Sequence, residues 1–591
     1  MRAVSVQFSY QQLKSSIYAT TKIYLDSGQP QAHHFLLLKV LALYFPKTGF
    51  KSIAQQQKEV RLRALFEKGR GLHQTGDLSA ARRVYESVLK DDPAHFDAKH
   101  LLGVVCAQSG EHALALNLLS EAIALHSRDP VAHNNLGNAQ AQLEDWTAAV
   151  KSYDRAVKLD SRYALAYFNR GIAQEKLTQL DASLASYKRA ILLNPNYSQA
   201  YNHSGLVLQQ LGLISEALNS FDNAIRTDPE NAEALSNRGN VYKEINRYPE
   251  SIADFDHALS LRPGFADAYW NKSLTLLCMG EWAAAWDIYD WRWRRGNPDP
   301  QAFLPPLEPD RLQRAARVPN EQKVFIWAEQ GLGDEVFHAS MFEDAVNRFG
   351  AVTIQADGRF IPLLERSVSG ANFVERSAPV EPTRFDVHLS QGDLGYFFRR
   401  TVGDFQGLQE CYLRADQARV AELRSHLQTD SRPLVGIAWR SKNNRFGSSK
   451  SVTLESLLPV LRNPRLRFVN LQYGDTAEEL ETFRREHGIE IVRCTSVNNF
   501  SDIDGHAALI EACETVLTVS NTTAHIAGAL GKPTFVMLPK GEGRLWFWVN
   551  RHARRSIWYP TVEIFEQPKH GEWDDVVSNI AISIAERYRD Q

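Results

Sequence analysis

From Leu62 onward the chain repeats one arrangement of small, apolar and polar positions every 34 residues, seven times over. The repeats start at Leu62, Phe96, Pro130, Ala164, Ser198, Ala232 and Ala266. The eighth residue of each is Gly69, Gly103, Gly137, Gly171, Gly205, Gly239 and finally Ser273, so two helices must approach there without an intervening side chain. The twentieth stays small (Ala81, Ala115, Ala149, Ser183, Ala217, Ser251, Ala285), and so, in most repeats, does the twenty-seventh (Ala122, Ala156, Ala190, Ala224, Ala258). An aromatic or Leu fills the twenty-fourth: Tyr85, Leu119, Tyr153, Tyr187, Phe221, Phe255, Tyr289. Pro93, Pro195, Pro229 and Pro263 close their repeats, because proline cannot continue a helix. The pattern predicts pairs of antiparallel helices, each with one apolar face.

This arrangement resembles the tetratricopeptide repeat. Such a unit cannot bury its apolar face alone, so stacking is expected to make a continuous core and a superhelix with a concave groove. The sixth position reads Asn135, Asn169, His203, Asn237 and Asn271 in successive repeats. An amide donates and accepts at once, so this row suits the backbone of a protein or peptide partner. It resembles the ladder lining the superhelix of O-linked GlcNAc transferases; Asn is also a consensus residue at this place in ordinary tetratricopeptide repeats.

Beyond the repeats the period changes. The segment from Asp290 to Asp310 holds Trp291, Arg292, Trp293, Arg294 and Arg295, then five prolines, and reads as a semi-rigid connector with an apolar cap that docks on the next domain. Short β-rich runs then alternate with helical stretches: Lys323 to Ala328, Val352 to Gln355, Phe385 to Leu389, Leu434 to Trp439, Arg467 to Leu471, Glu490 to Val492, Thr515 to Val519 and Thr534 to Leu538. This predicts parallel, doubly wound sheets, divided by a charged helical stretch at Asp416 to Arg432. The expected organisation is an N-terminal helical or flexible segment over 1–58, repeats over 62–295, a connector over 296–320, and two lobes over 321–415 and 430–591.

Charge and cysteine narrow the function classes. Lys and Arg number 67 against 69 Asp and Glu, a formal charge of -2, which gives no electrostatic case for nucleic acid or an anionic membrane as the main partner. Five scattered cysteines without a C-x-x-C pair argue against a disulfide framework and a zinc site, and fit a reducing cytoplasm. The apolar stretch from Phe35 to Phe45 is interrupted by Lys39 and too short to span a bilayer, so no transmembrane segment or signal peptide is expected.

Ligands of doubly wound sheets bind beyond the carboxyl ends of the strands, and the unusual residues fall there. After the first strand comes Glu329-Gln330-Gly331-Leu332-Gly333-Asp334-Glu335, a tight glycine path delivering Asp334 to a helix start. The second lobe opens with Val435 to Ser441 and returns through Lys450-Ser451-Val452; Arg440, Ser441 and Lys450 suit a diphosphate. The strand Thr515 to Val519 runs into Ser520-Asn521-Thr522-Thr523-Ala524-His525, hydroxyl and amide groups at a helix N-terminus that make an anion cradle. A dinucleotide oxidoreductase fits less well, because Gly331-Leu332-Gly333-Asp334-Glu335-Val336 lacks the third glycine of the G-x-G-x-x-G turn.

Taken in order, Glu329 to Asp334, Trp439 to Lys450, Asn470-Leu471-Gln472-Tyr473-Gly474-Asp475, Ser520 to Pro533, Trp546-Phe547-Trp548 and Trp558-Tyr559-Pro560 resemble the tetratricopeptide-linked glycosyltransferases related to lipopolysaccharide heptosyltransferases, a family 9-like group. The resemblance implies a GT-B fold of two Rossmann-like lobes and a metal-independent, inverting transfer with a nucleotide sugar as co-substrate and no cofactor. It implies Asp334 as general base and a donor site drawing on Gly331, Gly333, Arg440, Ser441, Lys450, Gln472, Ser520, Asn521, Thr522, Thr523 and His525. Glu335 and His338 lie near Asp334 in the sequence, either as groups that share or replace its role or as a helix-start acid and an amphipathic His. The chain departs from that group at Ser520 and Asn521, where an acidic residue is usual, so the sugar does not carry over. The alternative is a scaffold whose transferase-like domain is inactive.

Overall fold

The computed structural model describes residues 53–296, 312, 322–406, 410–443, 447–541, 543–549 and 554–589. The expected N-terminal segment up to residue 52 and most of the connector lie outside the described residues. The chain divides into two units, Met1–Leu193 and Asn194–Gln591.

The first unit holds four helix pairs: α1 (Ile53–Gln74) with α2 (Leu78–Asp91), α3 (Phe96–Gln108) with α4 (His112–Leu125), α5 (Pro130–Gln142) with α6 (Trp146–Leu159), and α7 (Ala164–Lys176) with α8 (Leu180–Leu193). Three more open the second unit: α9 (Ser198–Gln210) with α10 (Ile214–Thr227), α11 (Ala232–Glu244) with α12 (Tyr248–Leu261), and α13 (Ala266–Met279) with α14 (Trp282–Tyr289). The repeat grammar has a direct physical reading. A Cβ placed on Gly171 would lie 2.5 Å from the ring of Tyr187, and one on Gly205 2.7 Å from Phe221, so the eighth position is the seat of the twenty-fourth residue's ring. The fifteenth position, Gly76, Gly110, Glu144, Thr178, Gly212, Asn246 and Gly280, has positive φ throughout, because the left-handed turn reverses the chain between paired helices. Ion pairs recur in register too, Arg170 to Asp154 at 2.7 Å in the first unit, Arg238 to Asp222 at 2.6 Å and Lys272 to Asp256 at 2.5 Å in the second.

The rest of the second unit is α/β. The first sheet has the order β3-β2-β1-β4, with β1 (Lys323–Trp327), β2 (Ala351–Ala356), β3 (Ala371–Glu375) and β4 (Val387–Ser390). The second runs β10-β9-β8-β5-β6-β7, with β5 (Leu434–Ala438), β6 (Arg467–Asn470), β7 (Ile491–Val492), β8 (Thr515–Val519), β9 (Thr534–Leu538) and β10 (Val562–Glu566). Every ladder within these sheets is parallel. The helices of these lobes include α15 (Leu332–Ala339) after β1, α16 (Phe342–Phe349) and α17 (Ile361–Ser367) in the first, then α18 (Gln417–Leu427), α19 (Ala477–His487), α20 (Ile503–Ala512), α21 (Thr522–Ala529) after β8, and α22 (Asp574–Arg587). These are two Rossmann-like lobes, an architecture consistent with GT-B. In the first sheet the strand order reverses at β1/β4, in the second at β5/β8, so the loops after β1, β5 and β8 all leave topological switch points.

One apolar core joins the last repeat to both lobes: Leu277, Trp282, Trp286 and Tyr289 pack with Val324, Phe337 and Leu364 and with Trp546 and Tyr559. A second core covers the other face of the second sheet beneath α22. The segment read as the start of a connector is built differently. Asp290–Arg294 is a 3-10 turn with Arg292 and Trp293 buried, because the guanidinium of Arg292 finds carboxylate partners inside the first lobe and Trp293 packs on Trp327 at 4.8 Å.

Candidate functional site

The loop after β1 brings Asp334 to the first turn of α15. Its Oδ2 accepts the Gly331 amide at 3.3 Å, and Gln330 takes the left-handed conformation that turns the chain. Burial pushes the Asp334 carboxyl up to about 6, and Glu329 adds to the rise, against the pull of the Gly331 amide and the Lys450 ammonium. Lys450 comes from the other lobe, on the short helical turn Gly447–Lys450; it is buried, which lowers its ammonium, while Asp334 raises it. A carboxyl on one lobe and an ammonium on the other thus share one electrostatic environment.

The start of α21 faces the same loop. A Cβ on Gly333 would meet the His525 ring at 3.3 Å and the Thr522 hydroxyl at 3.7 Å, so α15 and α21 approach with little between them. His525 is buried, bonds Tyr559 Oη through Nδ1 at 2.8 Å, and is pushed down to about 3 by burial, with Lys450 and His338 acting in the same direction; it is neutral at physiological pH. Thr523 Oγ1 lies 3.1 Å from His506 Nε2, and His506 Nδ1 lies 3.1 Å from Asn499 Oδ1. Asn499 Oδ1 can only accept, so Nδ1 carries the hydrogen and Nε2 accepts from the Thr523 hydroxyl. Burial holds His506 at about 4, consistent with that single tautomer.

Several candidates have structural partners. Gln472 Oε1 accepts the amides of Trp439 at 2.9 Å and Arg440 at 2.7 Å, tying the end of β6 to the end of β5. Arg440 pairs with Glu479 of α19 at 2.8 Å. Ser441 donates its backbone N–H to Ser451 Oγ at 3.0 Å, and Asn521 caps α21, accepting Ala524 N–H at 3.2 Å while its amide donates to Arg440 O. Ser520 is buried with its hydroxyl unpartnered. Of the residues near Asp334, Glu335 is buried, pairs with Arg376 at 2.7 Å and receives Asp357 N–H at 2.8 Å; burial raises it to about 7. His338 is buried with Nδ1 unpartnered, and burial lowers it to about 4.

The cleft also contains Arg359, Phe500 and His506, which stand in none of the sequence motifs. A cavity of about 160 Å³ is lined by Leu332 and Arg359 from the first lobe and by Lys442, Tyr473, Phe500, His506 and Thr522 from the second. It adjoins one of about 510 Å³ beyond the ends of β6 and β7, which shares Lys442, Asn499 and Phe500 and adds Arg493, Asn498 and Thr476. Arg359 lies over the Phe500 ring at 5.0 Å and donates to Phe500 O at 2.9 Å; Phe500 is 57% exposed. Arg366 of α17 bonds Asp504 of α20 at 2.7 Å, so the lobes are also linked at the cleft's edge. The signal for Phe500 is a lone aromatic in the polar run Asn498-Asn499-Phe500-Ser501.

In the repeats, the five residues at the sixth position, Asn135, Asn169, His203, Asn237 and Asn271, are all half-buried. Three bond to the fifth position of the repeat before: Asn135 to His100 at 2.9 Å and Asn169 to Asn134 at 3.0 Å in the first unit, Asn237 to Asn202 at 2.9 Å in the second. The row therefore staples repeat to repeat, and its remaining hydrogen-bonding capacity is what a partner would meet.

Family models for the tetratricopeptide repeat match residues 66–130, 141–177, 164–197, 210–246 and 232–265. The helical half carries tetratricopeptide repeats. A protein named FlbA from Caulobacter vibrioides (strain ATCC 19089 / CIP 103742 / CB 15) is 29% identical over 331 residues, 53% of this chain and 54% of that one. The chain thus spans about half the length of that curated relative. Among solved structures, MamA is similar at 28% identity, covering 28% of this chain and 96% of its own, with a TM-score of 0.27. YrrB, described as a TPR protein with an unusual peptide-binding site, is similar at 23% identity, covering 32% of this chain and 98% of its own, with a TM-score of 0.28. No helix among the described residues is long and apolar enough to cross a membrane.

Proposed function

We propose that this chain is a glycosyltransferase that moves a sugar from a nucleotide-sugar donor to a protein or glycan acceptor recruited by its tetratricopeptide repeats. The observation that carries the reading is Asp334, a carboxyl raised to about 6 on the switch-point loop of one lobe, facing Lys450 and the start of α21 on the other. A base is most useful when its affinity for protons lies near the working pH, and Asp334 is ionised yet still proton-seeking at neutrality. In the proposed reaction Asp334 takes the proton from the acceptor hydroxyl, the hydroxyl oxygen attacks the anomeric carbon, and the bond from that carbon to the diphosphate breaks. Lys450, Lys442 and the free amides at the start of α21 stabilise the departing diphosphate. Arg440 serves the donor less directly, as the partner of Glu479.

Thermal shift with UDP, ADP and GDP tests the donor site, since a retained product nucleotide stabilises the protein. Turnover of the corresponding nucleotide sugars tests the chemistry. Asp334→Asn should lose about 10²–10⁴-fold in turnover while keeping the nucleotide shift; no shift and no turnover with any nucleotide would end the reading. A second reading, a scaffold with an inactive transferase-like domain, draws on the tetratricopeptide repeats and on the second lobe's switch point, where Ser520 and Asn521 replace an acid and Asn521 is occupied as a helix cap. A nucleotide shift without turnover favours it.

A further inference from the structure

The 3-10 turn Asp290–Arg294, directly after the last repeat helix, sends Arg292 into the first lobe. Its Nε and Nη2 reach the two oxygens of Glu329 at 3.1 Å each. Nη2 also reaches Asp393 Oδ1 at 2.9 Å and Ser390 Oγ at 2.7 Å, and Nη1 donates to Tyr289 O at 3.0 Å. Arg292 is 7% exposed, Glu329 1% and Asp393 2%. Glu329 also accepts the Gly392 amide at 2.7 Å, and it lies in the short loop between β1 and α15, the helix whose first turn holds Asp334. We infer that Arg292 is a positioning residue: through Glu329 and Asp393, the last tetratricopeptide repeat fixes the loop that carries Asp334, making the repeat part of the reaction centre.

This inference rests on the reading of Asp334 as the base. The arrangement is a forked guanidinium between two buried carboxylates, and removing one partner of such a set leaves the others without their hydrogen bonds in a buried place. The groups that face Arg292 are Glu329, Asp393, Tyr289 and His338; those that face Asp334 are Glu329 from its own loop, Lys450 from the second lobe, and Tyr289 and Tyr559. Arg292 is the cation on the repeat side of this set, Lys450 the one on the opposite side. Removing Arg292 leaves Glu329 uncompensated one loop away from Asp334, while removing the Glu329 charge relieves Asp334.

The test follows the protonation of Asp334 in the full-length protein by carbodiimide labelling across pH 4.5–8, read by peptide mass spectrometry. It needs no substrate, so it is independent of whether transfer occurs. Arg292→Met should move the Asp334 midpoint upward by about one pH unit, and Glu329→Gln should move it downward. If Arg292→Met does not fold, Glu329→Gln and the charge-balanced double variant Arg292→Met/Glu329→Gln carry the test: the first lowers the midpoint and the second lies above the first. Midpoints that match wild type in the folded variants overturn the inference. Where turnover exists, Arg292→Lys, which keeps charge and loses the fork, should lower kcat at least about 10-fold with KM for the nucleotide sugar nearly unchanged; an unchanged kcat overturns positioning. Expected labelling shifts in a wild-type protein without turnover would uphold the coupling and sink the transferase reading, so the two fail separately.

Discussion

The repeats and the lobes use polar residues in opposite ways. In the repeats, each polar position answers the same packing question at every turn of the array: Asn169 and Asn237 staple neighbouring repeats, and Arg170 and Arg238 each pair with an acid of the repeat before. In the lobes, neighbouring polar residues at one strand end have unrelated tasks: Gln472 ties β6 to β5, Asn521 caps α21, and Lys450 faces Asp334 across the cleft. Repetition makes a residue's task legible from its period; a switch point concentrates tasks that share no period.

The comparison is sharpest where the two regions merge. Trp286 lies on the last repeat helix but is buried among both lobes, donating its Nε1 to Arg399 O at 2.7 Å and packing edge-on against Trp546 at 5.7 Å. Trp286→Ala should destabilise the second unit by about 3–5 kcal/mol, from lost burial, a cavity and an unmet carbonyl. Denaturant unfolding followed by tryptophan fluorescence reads this. A loss below about 1 kcal/mol would mean that the repeats are an appendage and that the shared core contributes little.

A smaller effect separates function from stability within the lobes. Asp334 binds its proton more tightly folded, at about 6, than unfolded, at the ordinary 3.8. The folded state therefore holds more protons in that window, and stability falls as pH rises from about 4 to about 6. Asp334→Asn removes this dependence. Because the carboxyl is only partly buried, the variant should gain about 1–2 kcal/mol over wild type between pH 4 and pH 8. Paired melts at the two pH values check the sign, and a variant that loses ground at the higher pH contradicts the buried-base picture.

The same contrast explains what the sequence disclosed. All seven repeats, the two sheets and the bounds of β8 and β9 follow from period and apolar runs. β3 and β10 were not read from the sequence, since each carries only two or three strongly apolar residues among polar ones. The candidate loops were visible as polar clusters after strands. The partners that occupy them were not, since Gln472 grips amides more than 30 residues back in the chain and Arg292 reaches Glu329 and Asp393 through the fold. Arg359, Phe500 and His506 stand in no motif; only the folding of two lobes around one cleft brings them together.

Asn521 tests whether a strand-end amide is ligand or cap. Its Oδ1 accepts from Ala524 N–H and Thr518 Oγ1, which uses the acceptor that a donor sugar would need. Asn521→Ala should cost about 1 kcal/mol in stability, the ordinary value of a helix cap, with nucleotide affinity falling less than about 3-fold. Asn521→Asp, which keeps the cap and adds charge, should restore the stability. A large affinity loss in Asn521→Ala at unchanged stability would make the residue a ligand.

The finest contrast lies inside the repeats, at a place where the grammar is broken. The fifteenth position needs a left-handed residue, and the array supplies glycine at Gly76, Gly110, Gly212 and Gly280 but a β-branched residue at Thr178, with φ of 56°. That conformation costs an L-residue about 1–2 kcal/mol. Thr178 recovers little of it, because its hydroxyl bonds only the adjacent Leu177 O at 2.6 Å on an exposed turn. Glycine removes the strain but frees the unfolded chain, which offsets about 0.5–1 kcal/mol. Thr178→Gly should therefore stabilise the first unit by about 0.5 kcal/mol, and Gly110→Thr should destabilise it by about as much. Chemical denaturation of both variants decides the matter. Equal and opposite shifts would mean that the turn is set by backbone strain alone; a loss in Thr178→Gly would show that the repeat tolerates Thr178 for a contact that period does not reveal.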